Sequence, residues 1–317
     1  MRAVVVTPAE PGSLTGNRVT AERWAKRLAE LGHEVSVVTE WGGEPADLLV
    51  ALHAHRSHAS VVRFSERFPS GSVVVGLAGT DVYRDLEDGV EALDSLNRAR
   101  RLVALQRLVV DRLPRELRDR VRVIHQSAEP PADRRPASTD TFDACMLAHL
   151  RPVKDPLLAA RAVRRLPADS RVRLLHAGQA LDEELAEEAR RAERASARYR
   201  WLGPLPREEA RHLLASSRVL VLCSKSEGGA NVVSEAIVCG VPVLSTRIDG
   251  SVGLLGDDYP GFFTVGDEVA LAELLRRAES DAGFLGELRR CCDALAPMFT
   301  PDAEREAWRD LLLELAI

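Results

Sequence analysis

Two carboxylates eight residues apart, Glu227 and Glu235, bracket a glycine pair in SKSEGGANVVSEAIVCGVPVLSTRIDGS, Ser224 to Ser251, directly after the apolar run VLVLC. Gly228 and Gly229 let a backbone approach a ligand, and Asn231 is a helix-capping residue type. Val232, Val233, Ala236 and Ile237 give the next segment one apolar face, and Gly240 followed by Pro242 ends it. A strand, a glycine turn and an exposed helix N-terminus form an anion site, because unpaired N–H groups and the positive end of the helix dipole point at one spot. A diphosphate suits such a spot. The spacing places Glu227 on the loop and Glu235 about one turn into the helix, where each carboxylate can accept hydroxyl hydrogen bonds from a sugar or ribose. Without the strand, glycines and cap, the same pair would read as a solvated helix face.

Other polar groups stand where short β-branched runs end. PAEPGSLTGNRVT follows the first run, with Gly12 and Gly16 for a turn and Asn17 or Thr20 as helix caps. LHAHRS (52–57), AGTDVYRD (78–85) and HQS (125–127) supply His53, His55, Arg56, Thr80, Asp81, Arg84 and Gln126. In doubly wound folds ligands bind beyond the C-terminal ends of parallel strands, which makes these cleft candidates. His53 and His55 stand at strand spacing for a metal, but no third ligand accompanies them, so polar lining is the reading and no metal or cofactor is expected.

The elements that must position these groups alternate. AVVVT (3–7) and VSVVT (35–39) flank a helical stretch with Ala21, Trp24, Ala25, Leu28 and Leu31 on one stripe. The pattern continues through strands at 48–52, 72–78, 101–105 and 121–125, with helices at 57–68 and 90–99. EPPADRRPASTD, starting at residue 129, sustains neither helix nor central strand and reads as a linker. A second set follows: FDACMLAHL, helix 155–165, VRLLHAG, helices 182–195 and 206–217, VLVLCS, helix 232–239 and VPVLST. The expected architecture is α/β, two Rossmann-like doubly wound parallel-sheet domains facing a central cleft, at 1–130 and 139–296. Residues 297–317 form an amphipathic helix that can return to the N-terminal domain.

E-GGANVVS-E resembles the glutamate-x7-glutamate signature of glycosyltransferase family 4, whose fold is GT-B. The resemblance implies Glu227 near the donor-sugar hydroxyls and Glu235 on the nucleotide ribose. LAHLRPVKDP (147–156) is similar to that family's first C-terminal loop, where an arginine and a lysine grip the donor diphosphate; Lys154 matches the lysine. His149 stands where the arginine is usual, and Arg151 lies two residues on. Fixed cations there stabilise the charge of a departing nucleoside diphosphate without a metal. The glycine loop at 12–16 resembles the family's acceptor-side loop. The implied donor-binding set is Gly16, His149, Gly228, Gly229, Ala230, Asn231, Val232 and Glu235, with Lys154, Glu227, Arg151 and His53 as catalytic residues.

Taken together, GSLTGNRVTAERWA, DLLVALHAHRS, GTDVYRDL, AHLRPVKDP, EGGANVVSEAI and GSVGLLGDDYPGFF resemble the selenosugar synthases of selenoneine biosynthesis, a family 4 branch. That resemblance implies transfer of a sugar from a UDP-sugar, typically UDP-N-acetylglucosamine, to selenophosphate, giving a 1-selenosugar, UDP and phosphate. Selenium in selenophosphate is already anionic, so attack needs positioning more than a general base. A cationic acceptor pocket is required, for which Arg18, His53, Arg56 and Arg84 are the candidates, with Asn17, Thr80, Asp81 and Gln126 as further acceptor-binding residues.

Composition narrows the alternatives. The 317 residues are 45% hydrophobic and 29% charged with net charge −5, and charges of both signs are interspersed, so a globular protein without a nucleic-acid footprint is expected. Seven Phe, four Trp and three Tyr leave few stacking platforms for single strands. The first apolar run is too short for a signal peptide or span, which predicts a cytoplasmic protein with small-molecule substrates. Five cysteines without a CxxC read as structural. Transfer to a lipid or glycan hydroxyl is the main competitor, but helix 18–31 mixes Glu22 and Glu30 with its basic residues and turns Trp24 inward, against stable membrane association. An inactive sugar-nucleotide binding protein would have no need of Lys154, Glu227 and Glu235 together. A nicotinamide dehydrogenase lacks its GxGxxG after the first strand.

Overall fold

The computed structural model describes all residues except 14, 78, 84–88, 134 and 317 and the side chains of 80 and 81. The chain divides into two units, one of Met1–Ser127, Gly228–Asn231 and Met298–Ile317, the other of Ala128–Glu227 and Val232–Pro297.

In the first unit six strands, β1 (Arg2–Val6), β2 (Glu34–Val38), β3 (Leu48–Leu52), β4 (Ser72–Leu77), β5 (Arg101–Ala104) and β6 (Val121–Val123), form one sheet in the order β2-β1-β3-β4-β5-β6. Every pairing is parallel. A parallel sheet covered on both faces requires continuous apolar strands, and β3, LLVAL, is buried at all five positions, whereas the edge strand β2 has no buried residue. Strand order reverses between β1 and β3, which opens a crevice where their C-terminal loops part.

One face of this sheet is covered by the helix Gly16–Glu30 and the helix Pro301–Leu315. Trp24 and Trp308, both fully buried, meet edge-on with ring centroids 5.1 Å apart. A Cβ on Gly76 of β4 would lie 2.7 Å from the Trp24 ring, so the glycine makes room for it. Pro301 opens the last helix at a position where its missing N–H costs nothing, and Thr300 Oγ1 caps the turn by accepting from the Ala303 N–H at 3.2 Å. Glu304 enters the core of this unit fully buried, accepting from Arg23 Nε at 3.1 Å and from Ser127 Oγ.

The second unit holds β7 (Phe142–Leu147), β8 (Val172–Ala177), β9 (Tyr199–Trp201), β10 (Val219–Leu222), β11 (Val243–Thr246) and β12 (Phe262–Phe263), ordered β12-β11-β10-β7-β8-β9 and parallel throughout. Its reversal falls between β7 and β10. Residues 128–140 before β7 carry no helix or strand among those described. The strands β9 and β12, of three and two residues, were too short to leave a periodic signal. The helix Asp249–Leu255 contains Gly250 and Gly253, whose low helix propensity hid it.

Candidate functional site

The loops leaving β7 and β10, the two strands at the reversal, carry the chemistry of the second unit. After β7 the chain runs through Ala148–Arg151 into a single 3-10 turn, Pro152–Lys154, ended by Asp155 in the left-handed region at φ 39°. After β10 it runs through Ser224 to Glu227. The Lys225 N–H donates to the Val153 carbonyl at 2.8 Å and ties the loops together. Lys154 Nζ then donates to Glu227 Oε1, and Ser224 Oγ donates to the same oxygen at 2.6 Å. The side chains of Lys154 and Glu227 are 25% and 12% exposed, enough for a ligand to reach both.

Two residues whose types mark no chemistry in the sequence hold the Ser224–Glu227 loop from behind. Thr246 Oγ1, fully buried at the end of β11, donates to the Ser224 carbonyl at 2.6 Å. Gly250 lies against the Glu227 backbone so closely that a Cβ would sit 2.2 Å from the Glu227 carbonyl oxygen. The segment GSVGLLGDDYPGFF contained that glycine, but its partner is 23 positions earlier in sequence and no local signal joins them.

Of the remaining cationic residues, Arg151 is exposed at the start of the 3-10 turn, and His149 Nδ1 accepts from the Gln179 N–H at 3.1 Å. Glu235 is the fifth residue of the helix Asn231–Val238 and partly exposed. That helix ends as its sequence implied: Gly240 sits at φ 65°, its N–H donates to the Ile237 carbonyl at 2.9 Å, and the Val241 N–H donates to Ala236 at 2.9 Å. Asn231 does not act as the expected cap. It is the first helical residue, and its Oδ1 accepts from Arg23 Nη1 at 2.9 Å, Gly228–Asn231 belonging with the first unit. Gly229 is needed there, because a Cβ would lie 2.7 Å from Leu105 Cβ.

The first unit carries its candidates after β1, β3, β4 and β6. Gly16 opens the first helix behind Thr15, so Asn17 and Thr20, expected as caps, lie inside the helix. Thr20 Oγ1 instead accepts from buried Gln126 Nε2 at 2.9 Å. Arg18 is 9% exposed; its Nε donates to Glu22 at 2.7 Å, while its buried Nη1 has no hydrogen-bond partner among the described residues. At the end of β3, His53 is buried with φ 74°, a left-handed conformation that costs a non-glycine residue about 1–3 kcal/mol and clusters at functional positions. Its N–H donates to Gly76 at 2.9 Å and its Nδ1 accepts from the Arg56 N–H at 3.4 Å, with the Arg56 side chain exposed. Thr80 and Asp81 begin the short helix Thr80–Tyr83; their side chains, and all of Arg84, lie outside the described residues.

Four of the five cysteines are buried, and burial pushes the Cys145 thiol up to about 12, so it is not a nucleophile at neutral pH. Among the described residues no three His, Cys, Asp or Glu side chains are grouped as a metal site requires. What the second unit offers is a cation beside a carboxylate, suited to a ligand with both phosphate and hydroxyl oxygens.

A family model described as glycosyl transferases group 1 matches residues 132–294, just over half of the chain. The chain belongs to this family. Lys154, Glu227, Glu235, His149 and Arg151 all fall within the matched segment. Among solved structures, Anabaena Alr3699/HepE, in complex with UDP, is 17% identical, with a TM-score of 0.76 over 99% of this chain and 100% of that chain. Sucrose-phosphate synthase from Thermosynechococcus elongatus is 15% identical with a TM-score of 0.80 over 99% and 98%. A glycosyltransferase from Rickettsia africae is 13% identical with a TM-score of 0.79 over 99% and 98%. These likenesses are of fold, and the fold of this group 1 glycosyl transferase is GT-B. Among curated proteins none matches the sequence. No helix among the described residues is long and apolar enough to cross a membrane.

Proposed function

We propose that this group 1 glycosyl transferase takes N-acetylglucosamine from its UDP-sugar and passes it to selenophosphate, leaving a 1-selenosugar with release of UDP and phosphate. The observation that carries the donor half is the Lys154–Glu227 pair. Without donor, each ion satisfies the other. An arriving diphosphate offers Lys154 a stronger anion, which frees the Glu227 carboxylate to accept the sugar hydroxyls while Ser224 keeps it aimed. Arg151 and His149, on the same loop, add donors to the phosphates, and backbone N–H groups of Gly228, Gly229, Ala230, Asn231 and Val232 receive the rest at the helix N-terminus. Gly16 leaves room for the donor, and Glu235 takes the ribose. UDP as carrier is supported by the complexes of similarly folded proteins: HepE with UDP-glucose, and the pneumococcal O-GlcNAc transferase GtfA, 14% identical, with UDP and GlcNAc.

The acceptor half rests on the strings shared with selenosugar synthases and on acceptor chemistry. Selenium forms a bond to C1 as the C1–oxygen bond to UDP breaks, and water then cleaves the phosphorus–selenium bond to give phosphate. The nucleophile arrives anionic, so the protein must place it and balance its charge. His53, Asn17, Arg18, Arg56, Thr80, Asp81, Arg84 and Gln126 are the proposed acceptor residues, with His53, held by its strained backbone, proposed to act in catalysis. The reaction uses no metal and takes place in the cytoplasm. Its signature is stoichiometric: UDP and phosphate should appear in equal amounts, and only when UDP-N-acetylglucosamine and selenophosphate are both present. UDP release that needs a hydroxyl acceptor instead would redirect the acceptor assignment alone.

A further inference from the structure

His176 lies on β8, fully buried, outside the ion pair and its loops. Its Nε2 stands 2.9 Å from the Ala148 carbonyl oxygen, which can only accept, so Nε2 carries the proton. Its Nδ1 stands 2.9 Å from the Tyr199 hydroxyl, which therefore donates. Burial lowers His176 to about 4 and raises the Tyr199 phenol, so both stay neutral and one tautomer is locked.

Ala148 is the point at which β7 gives way to the loop bearing His149, Arg151 and Lys154. Each residue of the exit is held from β8 or the turn after it. The Ala148 N–H donates to Ala177 at 3.0 Å, the Leu150 N–H donates to Gln179 at 2.9 Å, and His149 Nδ1 takes the Gln179 N–H. A Cβ on Gly178 would lie 1.8 Å from the Ala148 oxygen, so the turn presses directly on the carbonyl that His176 holds. Trp201 Nε1 braces that turn by donating to the Gly178 carbonyl at 3.0 Å. An imidazole buried in a parallel strand costs desolvation that an apolar residue would avoid, and what it provides in return is a fixed donor on Ala148.

We propose that His176, held as the Nε2–H tautomer by the Ala148 carbonyl while Tyr199 satisfies its Nδ1, is a positioning residue for donor binding: it sets the exit direction of the loop that delivers His149, Arg151 and Lys154 to the diphosphate. This rests on the donor reading of that loop.

The test compares His176→Leu, His176→Gln and Tyr199→Phe for UDP affinity, for KM and kcat with UDP-N-acetylglucosamine, and for thermal stability. His176→Leu removes the donor and should raise KM and the UDP Kd about tenfold with kcat within about twofold. His176→Gln, whose amide can still donate to Ala148, should return both to within about twofold of wild type. In wild-type protein, nitrogen NMR should find the proton on Nε2, and Tyr199→Phe should keep it there with UDP affinity within about twofold, because the Ala148 carbonyl still takes the Nε2 proton. A merely structural role would lower the melting temperature of the leucine variant and leave the KM of the folded protein unmoved, which overturns the proposal, as does an Nδ1–H tautomer in the wild type. If the leucine variant does not fold, a folded glutamine variant whose UDP Kd is raised about tenfold although it keeps the donor to Ala148 also overturns it. Lys154→Ala separates the two levels. If it loses UDP affinity while His176→Leu does not, only the positioning role fails; if it binds UDP like wild type, the donor reading falls and takes the inference with it.

Discussion

Lys154 and Glu227, 73 positions apart, share an ion pair at the crevice between β7 and β10, and Ser224 hydrogen-bonds the same carboxylate oxygen. Because both side chains are partly exposed, the pair contributes little to stability, about 1 kcal/mol or less. Its value lies in the transition state, where a fixed cation meets the charge of the departing diphosphate. Lys154→Ala should therefore lower kcat by about 10²–10³-fold with almost no change in Tm. A variant that unfolds, or that keeps its kcat, would contradict this role.

Gly250 gives a sharper geometric test, since a Cβ there would meet the Glu227 carbonyl and Cβ and not its carboxylate. Gly250→Ala must displace the Glu227 carbonyl or the helix Asp249–Leu255. A shift of that order at a reacting group costs about 10²-fold in rate, and the overpacking about 1–3 kcal/mol in stability. Steady-state kinetics beside a denaturant curve measure both; unchanged kinetics would show that Glu227 need not be so placed.

Acid sensitivity follows from His176. Its folded value of about 4 lies below the ordinary 6.5, so the unfolded chain takes up a proton first as pH falls. Its contribution is fully present above about pH 6.5 and disappears between there and about pH 4, reaching about 3 kcal/mol. Burial depresses His125 in the same sense, so the informative quantity is the difference between wild type and His176→Gln. Denaturant unfolding at pH 7 and pH 5 should show a smaller stability loss in the variant.

Trp308 anchors the last helix in the core of the first unit. Trp308→Ala removes the edge-on partner of Trp24 and should cost about 3–5 kcal/mol, a large share of a domain's stability. Calorimetry would locate the loss, and a change under 1 kcal/mol would mean that the helix is not needed for that core.

The sequence made the fold legible because buried parallel strands such as AVVVT and LLVAL are continuous apolar runs, alternating with one-stripe helices. It missed what is short or glycine-bearing: β9, β12 and the helix Asp249–Leu255. At the candidate site, Glu227 and Glu235 stood out because a strand, glycines and charge lie together locally, and Lys154 through the resemblance of LAHLRPVKDP to the family's loop. Thr246, Gly250 and His176 could not, because each acts through a partner that only the strand order brings near; Ser224 lies three positions from Glu227, but a serine in a loop carries no signal of its own. Asn231 shows the converse: its type and position implied a cap, and a tertiary hydrogen bond from Arg23 took its oxygen.

The central claim is the product. Purified protein given UDP-N-acetylglucosamine and selenophosphate should yield, by mass spectrometry, an N-acetylhexosamine bearing one selenium with its isotope pattern, equimolar with UDP and formed about 10²–10³-fold more slowly by Lys154→Ala. UDP formation without any selenium-bearing sugar would contradict selenophosphate as acceptor, and no turnover or binding of the UDP-sugar would contradict the donor assignment.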